Sequence, residues 1–199
     1  MPSQRPDLIP AHYNDLDASL QETWRLLSRA AADRRAPMHT PAVASIGLDG
    51  RPKVRVVVLR HADPFQRLIR FHTDRRSAKL AEFAANSATQ ILAYDAGQKV
   101  QLRLSGTAAA HVDDETARAA WRASQPQSQL CYRQVTAPGS IAAPPIEAQQ
   151  VADHDGAQNF SAVVVAIDEI EWLYLAAAGH RRARFSWRSG NLESRWLAP

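Results

Sequence analysis

The sequence predicts a mainly β, α+β fold in which six or seven antiparallel strands form a small barrel with helices at its periphery. Short apolar runs with period-two alternation recur after residue 41. Tight-turn sequences such as Asp49-Gly50 separate neighbouring runs, which favours hairpins over parallel strands joined by helices. Closure into a barrel is the natural way for so many strands in a 199-residue chain to remove their exposed edges.

The N-terminal part of the chain is predicted to hold an arm and a helix, which together span residues 1–36. Three prolines and a lack of periodicity are typical of a loose arm over the first ten residues. Apolar residues at helical spacing then predict a helix over 15–34, with Asn14 as its cap and Pro37 beyond its end.

The apolar runs and the turns between them set the predicted strands and the remaining helices. The strands are predicted at 42–48, 52–61, 67–73, 89–95, 99–111, 162–175 and 181–187. A short helix is expected around Leu80 and Phe83. Another is expected from Asp113 to Ala123, because acidic residues suit the first turn of a helix. Residues 124–158 hold several prolines and are predicted to form an irregular excursion with room for one short helix.

Composition limits the classes of function. The formal charge is +4, and 21 of the 24 basic residues are arginines. Codon usage is the plain explanation for this bias, and phosphate binding is the functional one. No basic helix face or aromatic-plus-basic motif predicts nucleic-acid binding. The single cysteine, Cys131, excludes an internal disulfide. No apolar stretch has the length of a signal peptide or a membrane span, so a cytoplasmic protein without membrane contact is expected.

Several common catalytic motifs are missing from the sequence. It contains no glycine-rich dinucleotide fingerprint, Walker loop, His-Glu-x-x-His or Gly-x-Ser-x-Gly, and its seven histidines lack metal-ligand spacing. A phosphate-bearing ligand would therefore be held by side chains, helix ends and strand edges, and no metal site is expected.

Two segments in successive strands are candidates for binding one anion. In 55–60, alternation places Arg55 on a face shared with apolar residues, where a guanidinium needs an anionic partner. In 71–79, a strand ends where a helix begins, so the N–H groups of the helix start lie near Ser77 and Lys79. A structural ion pair for Arg55 and an ordinary capped helix are the plainer alternatives.

Two further segments suit a flat ligand. Gln101 lies on the polar face of its strand, and its amide can donate and accept at the edge of a heterocycle. Trp172 precedes a closing strand that carries Arg182 and Arg184, and a tryptophan beside arginines can bracket a flat anion. A half-exposed strand and a core tryptophan give the same patterns.

Taken in order, these segments resemble the pyridoxamine 5′-phosphate oxidase family of FMN-binding split β-barrels, from about residue 42 to the end of the chain. The family's Arg-x-Val-Leu-Leu-Lys strand is similar to 55–60. Its Tyr-Thr and Ser-Arg-Lys signature resembles His72-Thr73 followed by 77–79, and its flavin-edge glutamine, five residues before a glycine, falls on Gln101. The family arginine inside 77–79 is missing, and Arg75 or Arg76 is a candidate substitute.

The resemblance implies that residues 1–199 form a single FMN-binding split-barrel domain. It also implies a homodimer with the flavin at the subunit interface. Arg55, Ser77 and Lys79 would hold the phosphate, and Gln101 would orient the ring. The full set of implied cofactor contacts is Arg55, Val56, Val57, Val58, Arg60, His72, Thr73, Ser77, Lys79, Gln101, Trp172 and Arg184.

The implied substrate pocket departs from the family pattern. The oxidase holds its substrate phosphate with a lysine, a tyrosine, an arginine and a serine. The corresponding positions here are Arg60, Trp121, Gln125 and Ser128, and an Arg-x-His pair near the substrate falls on His180 and Arg182. The loss of one cation and one hydroxyl weakens phosphate binding.

The resulting prediction is an FMN-dependent oxidoreductase that acts on an unidentified small molecule. No residue is assigned as a catalytic acid or base. True pyridoxamine 5′-phosphate oxidation and flavin carriage without turnover stay open as alternatives.

Overall fold

The computed structural model describes residues 10–141, 155–177 and 179–199. Most of the predicted N-terminal arm and residues 142–154 of the predicted irregular segment lie outside these ranges. The described residues form one mainly antiparallel sheet with a few helices around it, as predicted.

The sheet contains nine strands, whereas the sequence predicts six or seven. Their bounds are β1 (Ala42–Ile46), β2 (Pro52–Val56), β3 (Leu59–Asp63), β4 (Leu68–Asp74), β5 (Ala88–Asp95), β6 (Val100–His111), β7 (Phe160–Tyr174), β8 (Arg181–Ser186) and β9 (Glu193–Leu197). The predicted strand 52–61 is two strands because Val57 leaves the ladder and donates its N–H to the carbonyl of Pro41, at 3.0 Å. β9 pairs with β8 without the alternation that marks a strand in sequence.

The sheet is split rather than closed. Its order is β2-β1-β5-β6-β7-β4-β3, and β8 and β9 extend it from β7. The first half of β7 pairs with β4 and the second half with β8, so the sheet forks along this long strand. The prediction that the sheet closes into a barrel is therefore wrong, because β2 and β3, the strands at the two ends of the path, are not hydrogen-bonded to each other. Even so, β2 and β3 at the two ends of the path are joined through Val57 and Val58, so the sheet must curl to bring its ends together.

The core lies between the sheet and the first helix, α1 (Leu16–Ala32). Leu26, Leu27 and Ala30 of α1 are buried together with strand residues such as Phe71 and Ile170. The helix begins as predicted, but its cap is the side chain of Asp15, which accepts the N–H of Ala18 at 2.8 Å. The predicted cap, Asn14, instead accepts a hydrogen bond from Arg181 at 3.0 Å.

Three shorter helices lie along the sheet. They are α2 (Ala78–Ala85), α3 (Glu115–Arg122) and α4 (Pro126–Gln129). α2 and α3 confirm the predicted helices, and Asp114 caps α3 by accepting the N–H of Ala117 at 2.9 Å. α4 matches the one short helix that is expected inside the otherwise irregular segment 124–158. None of the helices within the described residues is both long and apolar enough to span a bilayer.

Candidate functional site

Arg55 lies on β2 and points toward the start of α2. Alternation places Val54 and Val56 on the outer face of the strand and Arg55 on the opposite face. Its guanidinium donates to Ser45 on β1 at 2.5 Å and to Glu82 of α2 at 2.6 Å. The side chain keeps 23% of its exposure, so part of the cation is still open to a ligand.

Lys79 lies in the first turn of α2, within reach of two hydroxyl groups. Its ammonium donates to Thr73 at the end of β4, at 2.9 Å, and to Ser77, at 2.5 Å. Ser77 is the N-cap residue of α2, yet it makes no capping hydrogen bond. The N–H of Leu80 donates to the Ser77 carbonyl at 3.0 Å, so the N–H groups of Ala78 and Lys79 are the ones that form the positive end of the helix dipole.

Burial and the neighbouring Arg55 guanidinium lower the pKa of Lys79, although Glu82 and Asp74 oppose the shift. The structure therefore brings Arg55, Thr73, Ser77 and Lys79 together around the start of α2. This group is called the cradle below.

Glu82 is the acid beside the cradle. Burial favours its neutral form, but hydrogen bonds from Ser45 and Arg55 outweigh burial and leave the pKa of Glu82 below its usual value. Glu82 is the carboxylate that pairs with the cradle, because Asp74, the other acid close enough to affect Lys79, is paired with Arg76. The excess of positive charge in the cradle, with the two hydroxyls and the helix start, suits a phosphate dianion.

A cleft of about 630 Å³ lies on the other face of β4. Its polar lining includes Arg60, Arg70, His72, Gln125 and Ser128. Arg60 is the extra residue of a β-bulge, because Leu59 pairs with Phe71 while His61 pairs with Arg70. A bulge re-aims a side chain, and Arg60 donates to the Ser128 hydroxyl at 3.4 Å.

His72 is a neutral imidazole within this cleft. Burial, together with the Arg70 and Arg60 guanidinium groups, lowers its pKa to about 3. Its Nδ1 lies 3.5 Å from the Ser124 hydroxyl, and its buried Nε2 has no hydrogen-bond partner. Because Thr73 follows His72 on β4, successive residues of one strand face the cradle and the cleft.

Gln101 and Arg184, two of the predicted flavin contacts, lie on the outer face of the sheet. One row of directly paired residues crosses β5, β6, β7 and β8, and its side chains share the outer face. The row consists of Tyr94, Gln101, Leu173 and Arg182. Arg182 donates to Glu171 at 2.9 Å, as Arg103 does at 3.1 Å. In the neighbouring row, Arg184 is directly opposite Glu171.

Four more predicted site residues lie outside the cradle, the cleft and the outer-face rows that hold Gln101, Arg182 and Arg184, as do Val57 and Val58 between β2 and β3. Trp172 is fully buried in the core with Tyr13 and Tyr174, on the opposite face of β7 from Leu173, so a cofactor contact does not fit its placement. Trp121 packs on Phe160 and Tyr132 and is not among the residues that line the cleft. The other two are His180, which accepts the N–H of Ala176 at 3.2 Å, and Val56, which is exposed on the outer face.

Neither candidate substitute for the missing family arginine reaches the cradle. Arg75 pairs with Asp113 at 2.9 Å, and Arg76 pairs with Asp74 at 2.6 Å. Arg76 also donates to the carbonyls of Gln134 and Val135. Both arginines therefore tie loops to the end of β4.

Among the residues of these sites that are missing from the predicted set are Ser45, Glu82 and Arg70. Arg70 carried a usable signal, because it lies two residues before His72 in an alternating strand and so shares its face. Ser45 and Glu82 carried none, since their positions beside Arg55 depend on how β1 and α2 pack.

Comparisons with known proteins agree with this geometry. Residues 21–112 match the family model described as the pyridoxamine 5′-phosphate oxidase FMN-binding domain. The pyridoxine/pyridoxamine 5′-phosphate oxidase of Sphingopyxis alaskensis is 30% identical over 125 residues, which cover 63% of this chain and 56% of that protein.

Over these residues the chain is similar to the pyridoxamine 5′-phosphate oxidase FMN-binding family. Solved structures carry the same fold. A pyridoxamine 5′-phosphate oxidase-related, FMN-binding protein from Nostoc punctiforme is 20% identical, with a TM-score of 0.68 over 97% of this chain and 99% of that one. PhzG from Burkholderia lata, in complex with tetrahydrophenazine-1-carboxylic acid, is 19% identical, with a TM-score of 0.71 over 98% and 100%.

The family match covers both halves of the cradle. Arg55 and Lys79 lie within the matched residues, as does the whole of β4. Gln125, Ser128 and β8 lie outside them. The match thus includes Arg60, Arg70 and His72 of the cleft but not its Gln125 and Ser128.

Proposed function

We propose that this chain is an FMN-dependent oxidoreductase acting on a small molecule, with residues 1–199 as one FMN-binding domain. The observation that carries the proposal is the convergence of Arg55, Thr73, Ser77 and Lys79 at the start of α2.

The cradle fits a phosphate monoester in chemistry. Lys79 donates only to neutral hydroxyls, so its charge is available to a ligand. Arg55 is held in place by Glu82 and retains donors for a second acceptor. In the proposal, Arg55 and Lys79 hold the phosphate of FMN, and Thr73 and Ser77 orient the ammonium.

A second copy of the chain is part of the proposal. The outer face of β1, β2 and β5 exposes five large apolar side chains: Ile46, Val54, Val56, Leu92 and Tyr94. This face continues without a break into the row that holds Gln101 and Arg182. A dimer that buries the apolar part would carry Gln101, Arg182 and Arg184 to the subunit interface, where the family resemblance expects the flavin.

When bound, FMN supplies the hydride-transfer chemistry. The chain's own task is then to bind and orient the substrate. The cleft beside β4 is suited to this task, because Arg60, Ser128 and Gln125 offer donors and His72 offers a neutral nitrogen. The proposal assigns no acid or base to the chain.

Pyridoxamine 5′-phosphate oxidation is the second candidate, and one observation favours it. Arg60 and Ser128 correspond to two of the family's substrate-phosphate residues and lie 3.4 Å apart. Against it, Gln125 is uncharged and Trp121 packs away from the cleft.

The absorption spectrum of the protein as isolated, with mass identification of any released chromophore, tests the proposal. A flavin spectrum with released FMN is expected, and a colourless protein that takes up no FMN would refute it. Anaerobic mixing of the oxidised, FMN-loaded protein with candidate electron donors then separates the activities. Bleaching of the flavin by a small-molecule donor is expected of an oxidoreductase. Bleaching by pyridoxamine 5′-phosphate, which gives two electrons to the flavin, is expected of the second candidate, and no bleaching is expected of a flavin carrier. A cytoplasmic location stays a prediction.

A further inference from the structure

The cleft beside β4 holds a concentration of positive charge that the protein itself does not balance. Arg34, Arg60 and Arg70 line it, and none of the described residues that line it is Asp or Glu. Arg60 donates only to the neutral Ser128. Because uncompensated cations close together are costly, a cluster of this kind indicates an anionic ligand.

Arg70 is the least satisfied of these groups. The Nε atom of its guanidinium is buried and has no hydrogen-bond partner. Burial lowers its pKa, and the structure gives its side chain neither an ion pair nor a hydrogen bond among the described residues. A guanidinium keeps its charge even so, and it binds carboxylate or phosphate through two parallel hydrogen bonds.

Strand geometry directs Arg70 into the cleft. Ile69, Phe71 and Thr73 face inward on β4, so Arg70 and His72 share the opposite face. The bulge at Arg60 lies beside Arg70, because Arg70 pairs with His61 on β3. Both guanidinium groups are close enough to affect His72.

We infer that Arg70 and Arg60 together bind one oxyanion of the substrate, a carboxylate or a phosphate monoester, and that Arg70 determines this specificity. The inference rests on the proposed function and names its substrate class. In this account, Arg70 supplies from β4 the cation that is missing at Gln125. An uncharged substrate analogue would leave two cations unpaired in the cleft and would bind weakly.

The test uses the FMN-loaded protein, in which FMN already fills the cradle. Calorimetric titration with benzoate and with inorganic phosphate separates the two sources of the oxyanion. Arg70→Gln is expected to lower the affinity for the probe that the wild type binds more tightly by about 10- to 100-fold, because one charge-assisted pair is lost. Arg70→Lys is expected to lower this affinity less, because lysine keeps the charge but not the two-pronged geometry of arginine. The control Arg51→Gln, at an exposed turn residue, should change nothing.

Two further readouts separate a ligand-binding role from a structural one. If Arg70 serves a ligand, Arg70→Gln keeps its FMN and melts no lower than the wild type, since the substitution removes an unpaired charge. Unchanged affinity for both probes in Arg70→Gln, or a folding defect in that variant, would overturn the inference, as would a wild type that binds neither probe. A wild type that binds no FMN would instead refute the proposed function. Titration of Arg70→Gln in an Arg55→Ala/Lys79→Ala background would then still test the cleft.

Discussion

Lys79 and Arg55 come from different elements, and their charged ends lie close enough to affect each other. After burial, the Arg55 guanidinium is the next largest cause that lowers the pKa of the Lys79 ammonium. Two like charges held this close raise the energy of the free protein, and a dianion between them removes that repulsion. The proposed affinity of this pair for a phosphate group rests on this repulsion, and so do the predictions about the cradle.

The first prediction concerns the pH dependence of FMN binding. A bound dianion favours the charged ammonium and raises the pKa of Lys79. FMN affinity should therefore be full below the pKa of Lys79 in the free protein, which lies under 10.5, and fall as the pH rises through it. Titration of FMN fluorescence from pH 7 upward measures this fall.

Lys79→Gln is the matched variant for that titration. It should bind FMN about 10- to 100-fold more weakly at pH 7, because one charge-assisted hydrogen bond is lost. Its FMN affinity should also no longer decrease as the pH rises, since the titrating ammonium is absent. If Lys79→Gln retained the whole fall, the titrating group would lie elsewhere.

Glu82→Gln should move stability and FMN affinity in opposite directions. The variant leaves Arg55 without its anionic partner, which should cost about 2 kcal/mol of folding free energy. It also removes the one negative charge hydrogen-bonded to the cradle, so FMN should bind more tightly. Urea unfolding and FMN titration measure the two effects. The exposed Glu115→Gln should change neither, and weaker FMN binding by Glu82→Gln would contradict the account.

His72 should make the protein less stable in mild acid. Its folded pKa of about 3 lies below the value of 6.5 for an exposed histidine, so the unfolded chain binds the proton more readily. Stability linked to His72 is thus complete above pH 6.5 and is lost as the pH falls toward 3. Between pH 7 and pH 5 the loss should be about 2 kcal/mol.

Urea unfolding at pH 7 and pH 5 measures this loss. His72→Gln should remove it, while the exposed His61→Gln should leave it intact. An equal loss in the wild type and in His72→Gln would mean that His72 is not the group responsible.

A charge on the outer face of β2 should separate the proposed dimer. Val56 is 67% exposed, so Val56→Arg should change the stability of one protomer by less than about 0.5 kcal/mol. In a dimer the same arginine would be buried without a partner. Analytical ultracentrifugation should find a dimeric wild type and a monomeric Val56→Arg. Phe65→Arg, at a similarly exposed residue of the β3–β4 turn, should stay dimeric.

The sequence predicted most strands, because alternation and turn residues are local signals. Local signals cannot predict the bulge at Arg60. It arises from the pairing with β4, in which Leu59 pairs with Phe71 and His61 with Arg70. The division of the predicted strand 52–61 at Val57 has a similar cause, since its hydrogen bond to Pro41 is a tertiary contact.

The candidate site was predictable to a similar extent. The positions of Arg55, Ser77 and Lys79 follow from a strand, a helix start and their order in the sheet. Trp172 was misplaced because a tryptophan beside arginines has the same pattern whether it faces a ligand or the core.

The most direct test of the central claim compares the affinities of FMN and riboflavin, which differ by the phosphate. Dissociation constants measured by flavin fluorescence should show that the wild type prefers FMN and that Arg55→Ala/Lys79→Ala loses this preference while riboflavin affinity changes little. Arg195→Ala, at an exposed arginine of β9, should behave as the wild type. A double variant that still prefers FMN by the wild-type factor would contradict the claim that Arg55 and Lys79 bind one phosphate together.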